Sequence, residues 1–149
     1  MRVYAIEYAE PPVIERPFLK GTDPADIVAA AAEFAHEDCA VQIDGFWDLW
    51  QFDGEWKLAP TPVTLLCFGP LFDRDADDDM RIEFGTDERF LPQPAIEGSL
   101  RPVQSNIRSL LHLVSEIDKT FKLERRLLSS ESGANFAEVL MQALEPFNA

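Results

Sequence analysis

The sequence predicts an α+β fold: an antiparallel sheet of about five to six strands arranged as a meander, with helices packed on one face, two of them C-terminal. Three observations carry this reading. Short alternating apolar runs occupy the first part of the chain, Asp is followed by Gly at two points between such runs, and the last third places apolar residues at helical spacing. A chain of 149 residues suits a single α+β domain spanning residues 1–149.

Residues 3–8 alternate, with Val3 and Ala5 on one side and Tyr4, Ile6 and Tyr8 on the other. Apolar residues on both faces mark a central strand. Pro11, Pro12 and Pro17 make residues 10–21 an extended connection. Asp23 then caps a helix, Pro24 suits its first position, and Asp26 favours its positive end. That helix should run to about His36, with Ile27, Ala31, Phe34 and Ala35 on one face.

Residues 40–43, 46–52 and 55–59 are successive strands of the meander, joined at Asp44 and Gly45 and again at Asp53 and Gly54. A type I′ turn needs positive φ at both central positions, which Asp followed by Gly supplies. Pro60 and Pro62 mark another turn, and residues 63–68 form an apolar strand suited to the sheet centre. In residues 80–84, Met80, Ile82 and Phe84 face inward while Arg81 and Glu83 face water. Residues 85–102, rich in Pro and Gly, read as a long loop, uncommon without a role or hidden structure. Val103, Ile107, Leu110, Val114, Ile117 and Phe121 make the apolar stripe of a helix. Residues 123–130 fit either helix or strand, with a frayed continuation of the helix favoured. Ser132 or Asn135 then caps a last helix with Phe136, Val139, Leu140, Ala143, Leu144 and Phe147 on one face.

Charge is the strongest functional signal. Lys and Arg number 13 against 27 Asp and Glu, a net charge of −14. Phosphate contacts need a basic face, so no nucleic-acid partner is expected. The excess is segregated: residues 1–60 carry 12 acids and 4 bases, residues 61–100 carry 9 and 3, and residues 101–149 carry 6 of each. Asp73, Asp75, Asp77, Asp78 and Asp79 fall within seven positions. Desolvating even one carboxylate costs several kcal/mol, so this stretch is a solvated loop, a cation site or a contact surface for a basic partner. The spacing of Asp73, Asp75 and Asp77 starts an EF-hand-like pattern. Asp78 then stands where the turn glycine is required and Phe84 where the bidentate Glu is required, so a selective calcium site is not expected and weak, adventitious Ca²⁺ binding stays open.

Other chemistry finds little support. The chain has no Gly-rich phosphate loop and no Gly-Lys-Ser/Thr sequence, and no cofactor is expected. His36 and His112 are the only histidines. His36 reads as a helix-ending residue; His112 lies opposite the apolar stripe with Glu116 one turn away. Cys39 is near His36, but Glu37 and Asp38 oppose formation of a thiolate, and no second pair completes a zinc site. Cys67, in the most apolar strand, reads as inert core. Two cysteines are too few for a disulfide scaffold, which points to a reduced, cytoplasmic protein. No apolar leader begins the sequence, and the longest apolar run, starting at Ala59, is broken by prolines, so no membrane span is expected.

Residues 46–52 are unusually aromatic. Alternation puts Phe46, Asp48, Trp50 and Phe52 on one face and Trp47, Leu49 and Gln51 on the other. Trp47, Trp50 and Trp56 could form a stacking platform for a small molecule, with Asp48 or Gln51 orienting it; the competing reading is that other elements or a second subunit cover both faces. The leading functional expectation is a non-catalytic acidic protein that binds a basic protein partner through Asp73, Asp75, Asp77, Asp78 and Asp79, a character shared in composition alone with small inhibitor and immunity proteins. A small-molecule-binding domain using Trp47, Asp48, Trp50 and Trp56 comes second. A small enzyme, resting only on His36 and Cys39, comes third. The breadth of the 103–121 stripe, with Leu111 and Leu113 beside it, also predicts a symmetric homodimer, Arg125 and Arg126 docking on the acidic loop of the second copy.

Overall fold

The computed structural model of the chain describes residues 1–130, 133 and 136–144. The caps at Ser132 or Asn135 and the apolar Phe147 expected above lie outside them. The fold is α+β: a five-stranded antiparallel sheet in the order β2-β1-β3-β4-β5, with three α-helices among the described residues, two of them C-terminal. The strands are β1 (Arg2–Ala5), β2 (Ile14–Glu15), β3 (Cys39–Phe52), β4 (Trp56–Phe68) and β5 (Met80–Glu83). The helices are α1 (Pro24–Ala32), α2 (Leu100–Thr120) and α3 (Phe136–Leu144), with a 3-10 turn at Asp87–Arg89. The chain forms two compact units, Met1–Trp47 with Pro62–Gly85, and Asp48–Thr61 with Thr86–Ala149.

In the first unit β1 is central, paired with β2 through Val3↔Ile14 and with β3 through Val3↔Val41 and Tyr4↔Ala40. Its alternating side chains feed two clusters. Val3 and Val41 pack with Met1 and Ala30 of α1, while Tyr4 lies against Ala40, Leu66, Phe68 and Phe72. Asp23 caps α1 by accepting from the Ala25 N–H at 2.9 Å. The helix stops at Ala32 rather than near His36, because Phe34 and His36 donate to closer carbonyls, those of Ala31 and Phe34, and the chain turns toward β3. The expected Ala35 is accordingly exposed, and the buried alanine is Ala30. The connection before α1 contains the two-residue strand β2, too short to leave a periodic signal.

Two expected turns are strand instead. Asp44 and Gly45 lie inside β3, and Gly45, unlike Gly54 at the real hairpin turn (φ 76°), has no positive φ. The Asp44 carboxylate is used across strands: it accepts from Gln42 Nε2 at 2.8 Å and Thr64 Oγ1 at 3.2 Å and pairs with Arg2 at 3.2 Å. Those partners come from β3 itself, β4 and β1, and they hold extended a segment whose local sequence favours a turn. Pro60 and Pro62 likewise lie inside β4. The ladder to β5 begins only at Thr64↔Glu83, so neither proline has to donate to it. In β4, Leu66 and Phe68 face the core and Cys67 points away; it is exposed rather than buried.

The second unit is built on the far half of the β3–β4 hairpin. Leu49, Phe90, Val103, Ile107, Leu110, Phe136 and Leu140 are its buried apolar residues. Pro102 sits in the first turn of α2, where its missing N–H would have no helical partner. Residues 123–130 are irregular rather than helical. Phe121 is extended (φ −115°, ψ 141°), Arg126 pairs with Asp118, and Ser130 Oγ donates to Asp87 at 2.6 Å, so tertiary partners take over where the helix ends.

Candidate functional site

The acidic loop belongs to the first unit and is fixed at its ends by backbone hydrogen bonds. The Gly69 and Leu71 N–H groups donate to the carbonyls of Cys39 and Glu37, and the Asp73 N–H donates to the carbonyl of Ile6 at 2.6 Å. Ile6 has φ 70°, a left-handed conformation that a β-branched residue rarely adopts; both its backbone polar groups are bonded, its N–H to the carbonyl of Asp38. Within the loop, the cations turn inward. Arg74 donates to the carbonyls of Gly69 and Ala76 and lies 5.4 Å from the centre of the Phe68 ring. Arg81 lies at the same distance from that ring and binds Asp78 through two hydrogen bonds of 2.8 and 3.1 Å. Asp73, Asp75, Asp77 and Asp79 are exposed. In the pair Arg74–Asp79 (3.5 Å) the arginine side chain is 11% exposed and the aspartate 95%.

Beside this loop Tyr8 packs edge-on against Tyr4, Phe68 and Phe72, at centroid distances of 4.8, 6.2 and 5.0 Å. Burial pushes its phenol up to about 12, against the opposing pull of the Arg81 charge.

Of the four residues expected at a ligand platform, Trp50 and Trp56 line one cleft. Trp47 belongs to the first unit, where its ring centre lies 5.4 Å from that of Phe84. Asp48 is exposed and does not line the cleft described next. Trp50 and Trp56, both in the second unit, share that cleft of about 200 Å³. Trp50, Phe52 and Trp56 supply its aromatic surface, the last two 5.5 Å apart, and Trp56 Nε1 donates to the Glu97 carbonyl at 3.4 Å. Arg89, Glu88, Thr86 and Gln93 supply polar groups from the segment after β5. No protein-family model, curated protein or solved structure matches the chain.

The cleft is braced by Asn106, 2% exposed on α2. Its Oδ1 accepts from the Trp50 N–H at 2.8 Å, and its Nδ2 donates to the carbonyls of Trp50 (2.9 Å) and Arg89 (2.8 Å). One side-chain amide thus pairs with the edge of β3 as a neighbouring strand would, and ties the Arg89 turn to it. Gln51 Nε2 bonds Thr61 Oγ1 at 2.9 Å across the hairpin. Sequence reasoning missed Asn106, Thr86, Glu88, Arg89 and Gln93. The available signal was Asn106 itself, a polar residue at the spacing of Val103 and Leu110.

The remaining candidates are separate. His36 is exposed after α1, and His112 is exposed with Glu116 at 3.8 Å. Cys39 Sγ lies 3.6 Å from Asp38 Oδ1, and burial, then the Asp38 charge and hydrogen bond, push its thiol up, away from an activated nucleophile. Among the described residues no three His, Cys, Asp or Glu side chains converge on a point able to hold a metal ion, and no helix is long and apolar enough to cross a membrane.

Proposed function

We propose that the protein is a non-catalytic interaction protein whose first unit engages a basic protein partner through Asp73, Asp75, Asp77 and Asp79, the fifth expected carboxylate, Asp78, being held by Arg81. The observation that carries this is the arrangement of the loop's charges: Arg74 is drawn in against Phe68 while its pairing partner Asp79 stays almost fully in solvent. Carboxylates held outward at this density in a chain of net charge −14 create a single-signed field that speeds encounter with a cationic surface. The setting is a reduced, cytoplasmic one, in keeping with the free thiols of Cys39 and Cys67.

The test is binding to a set of strongly basic proteins at low and high salt, by biolayer interferometry. Wild type is compared with a variant carrying Asp73→Asn, Asp75→Asn, Asp77→Asn and Asp79→Asn, and with a control that neutralises four acids elsewhere, Glu10→Gln, Asp26→Asn, Glu33→Gln and Glu55→Gln. The reading requires binding at low salt that falls at least about tenfold at high salt and in the loop variant. It is overturned if no salt-dependent binding occurs, or if the control loses as much as the loop variant, since total charge and not the loop would then be responsible.

A second reading is a small-molecule site, favoured by the cleft that Trp50 and Trp56 share. Homodimerisation through the α2 face bearing exposed Leu111 is compatible with either. Sedimentation tests it. Arg126, expected to dock on a second copy, pairs with Asp118 of its own chain and stays well exposed.

A further inference from the structure

We infer that the cleft of the second unit receives one neutral, hydroxyl-bearing ring, a pyranose-sized sugar unit, an inference that rests on the small-molecule reading of that cleft. Its size comes first: about 200 Å³ lies below the range of pockets for drug-sized ligands, which limits the occupant to one small ring. Its chemistry comes second. Trp50, Phe52 and Trp56 present aromatic surface, and an aromatic face takes up the C–H face of a sugar ring, which is apolar although the ring's edge is not.

The polar groups match that edge. Glu88 accepts, Arg89 donates, and the Thr86 hydroxyl and Gln93 amide can do both, so hydroxyl groups, each a donor and an acceptor, find partners of either kind. Thr86 precedes the 3-10 turn without its side chain capping it, which leaves the hydroxyl uncommitted to the turn. Arg89 has a 3.5 Å bond to Thr61 Oγ1, and among the described residues no carboxylate lies within ion-pair distance of it.

Charge argues against ligands of a single sign. One acid and one base adjoin in the lining, so a ligand carrying a single charge would meet one of them with the wrong sign. An anion would in addition enter the field of a chain carrying −14. A neutral ring meets neither penalty. The site is also held ready, because Asn106 fixes the Trp50 and Arg89 backbones from a buried position, and a braced site needs little ordering on binding.

The experiment titrates the full chain with the methyl glycosides of glucose, galactose, mannose and N-acetylglucosamine, and separately with benzoate and glucuronate. Amide and indole shifts of Trp50, Trp56 and Trp47 are followed by NMR. At least one neutral glycoside is expected to saturate in the millimolar range, moving Trp50 and Trp56 and leaving Trp47 of the first unit in place. Trp56→Ala is expected to weaken that binding at least about tenfold, and Thr86→Val, an exposed change with little consequence for folding, to weaken it a few-fold. Shifts at Trp50 and Trp56 caused by benzoate or glucuronate but by no neutral glycoside would overturn the ligand class while leaving the cleft a small-molecule site. An absence of shifts with every probe, or shifts spread equally to Trp47, would overturn the ligand class and the small-molecule reading together.

Discussion

Asn106 shows what a single side chain supplies at the residue scale. It is buried, and its amide satisfies both backbone polar groups of Trp50 and the carbonyl of Arg89. Among the described residues no side-chain polar atom in the interior lacks a partner, so the saturation is not peculiar to Asn106. Asn106→Ala removes three bonds at once and strands their backbone partners, and is expected to lower stability by about 3 kcal/mol or more in urea denaturation. Asn106→Leu should fare no better despite restoring volume, because it adds no donor or acceptor. Tyr8 gives a second test at this scale. Its phenol ionises near 12 in the folded chain and near the ordinary 10.0 when unfolded. Between those values the unfolded chain holds fewer protons than the folded one, so the contribution of Tyr8 to stability is intact below pH 10 and is lost as pH rises toward 12. Tyr8→Phe keeps the ring contacts and removes this titration. The expected result is a melting temperature that falls less steeply for the variant than for wild type across that alkaline window.

At the scale of elements, two glycines separate the local signal from the tertiary one. A side chain at Gly69 would place Cβ 2.3 Å from the Glu37 carbonyl oxygen and 2.4 Å from that of His36, so the backbone would have to part. Gly69→Ala should therefore cost several kcal/mol, about as much as a badly overpacked core. At Gly45 nothing lies within 4 Å and φ is not positive, so Gly45→Ala should be neutral or stabilising by about 0.5 kcal/mol in the same denaturation experiment. Were Asp44 and Gly45 a type I′ turn, the substitution would instead destabilise. The contrast explains how far the sequence could be read. The Asp23 cap, the turn at Asp53 and Gly54, the Met80 strand and the Val103 to Leu110 stripe rest on neighbours along the chain, and all could be found there. Asp44 could not, because its partners Arg2 and Thr64 are remote and override the local preference. The candidate cleft divides the same way: Trp50 and Trp56 stand on one hairpin, whereas Arg89 is brought to them through an asparagine whose bond to Trp50 spans 56 positions.

On the scale of the whole molecule the dominant quantity is charge. The described ion pairs join acids and bases singly or in twos, as in Arg2 with Glu15 and Asp44, and the surplus carboxylates have too few cations to meet. Most of these pairs are well exposed and stabilise little, so the ledger of pairs does not offset the repulsion among acids. Folding gathers that repulsion into a smaller volume, which sets the folded state against its own net charge. Salt screens the repulsion and the exposed ion pairs alike, and repulsion prevails because acids outnumber bases by 27 to 13. The melting temperature is therefore expected to rise by a few degrees when NaCl is increased from about 0.02 M to about 0.5 M. The variant with four loop aspartates changed to asparagine should gain less from salt, since it carries four fewer of the surplus charges, and the Arg74–Asp79 pair it gives up has its carboxylate almost fully in solvent. A melting temperature that falls with salt would show that the exposed pairs outweigh the surplus charge. In that event the outward carboxylates of residues 73–79 would be balanced within the molecule, and the field expected to attract a basic partner would be correspondingly weak.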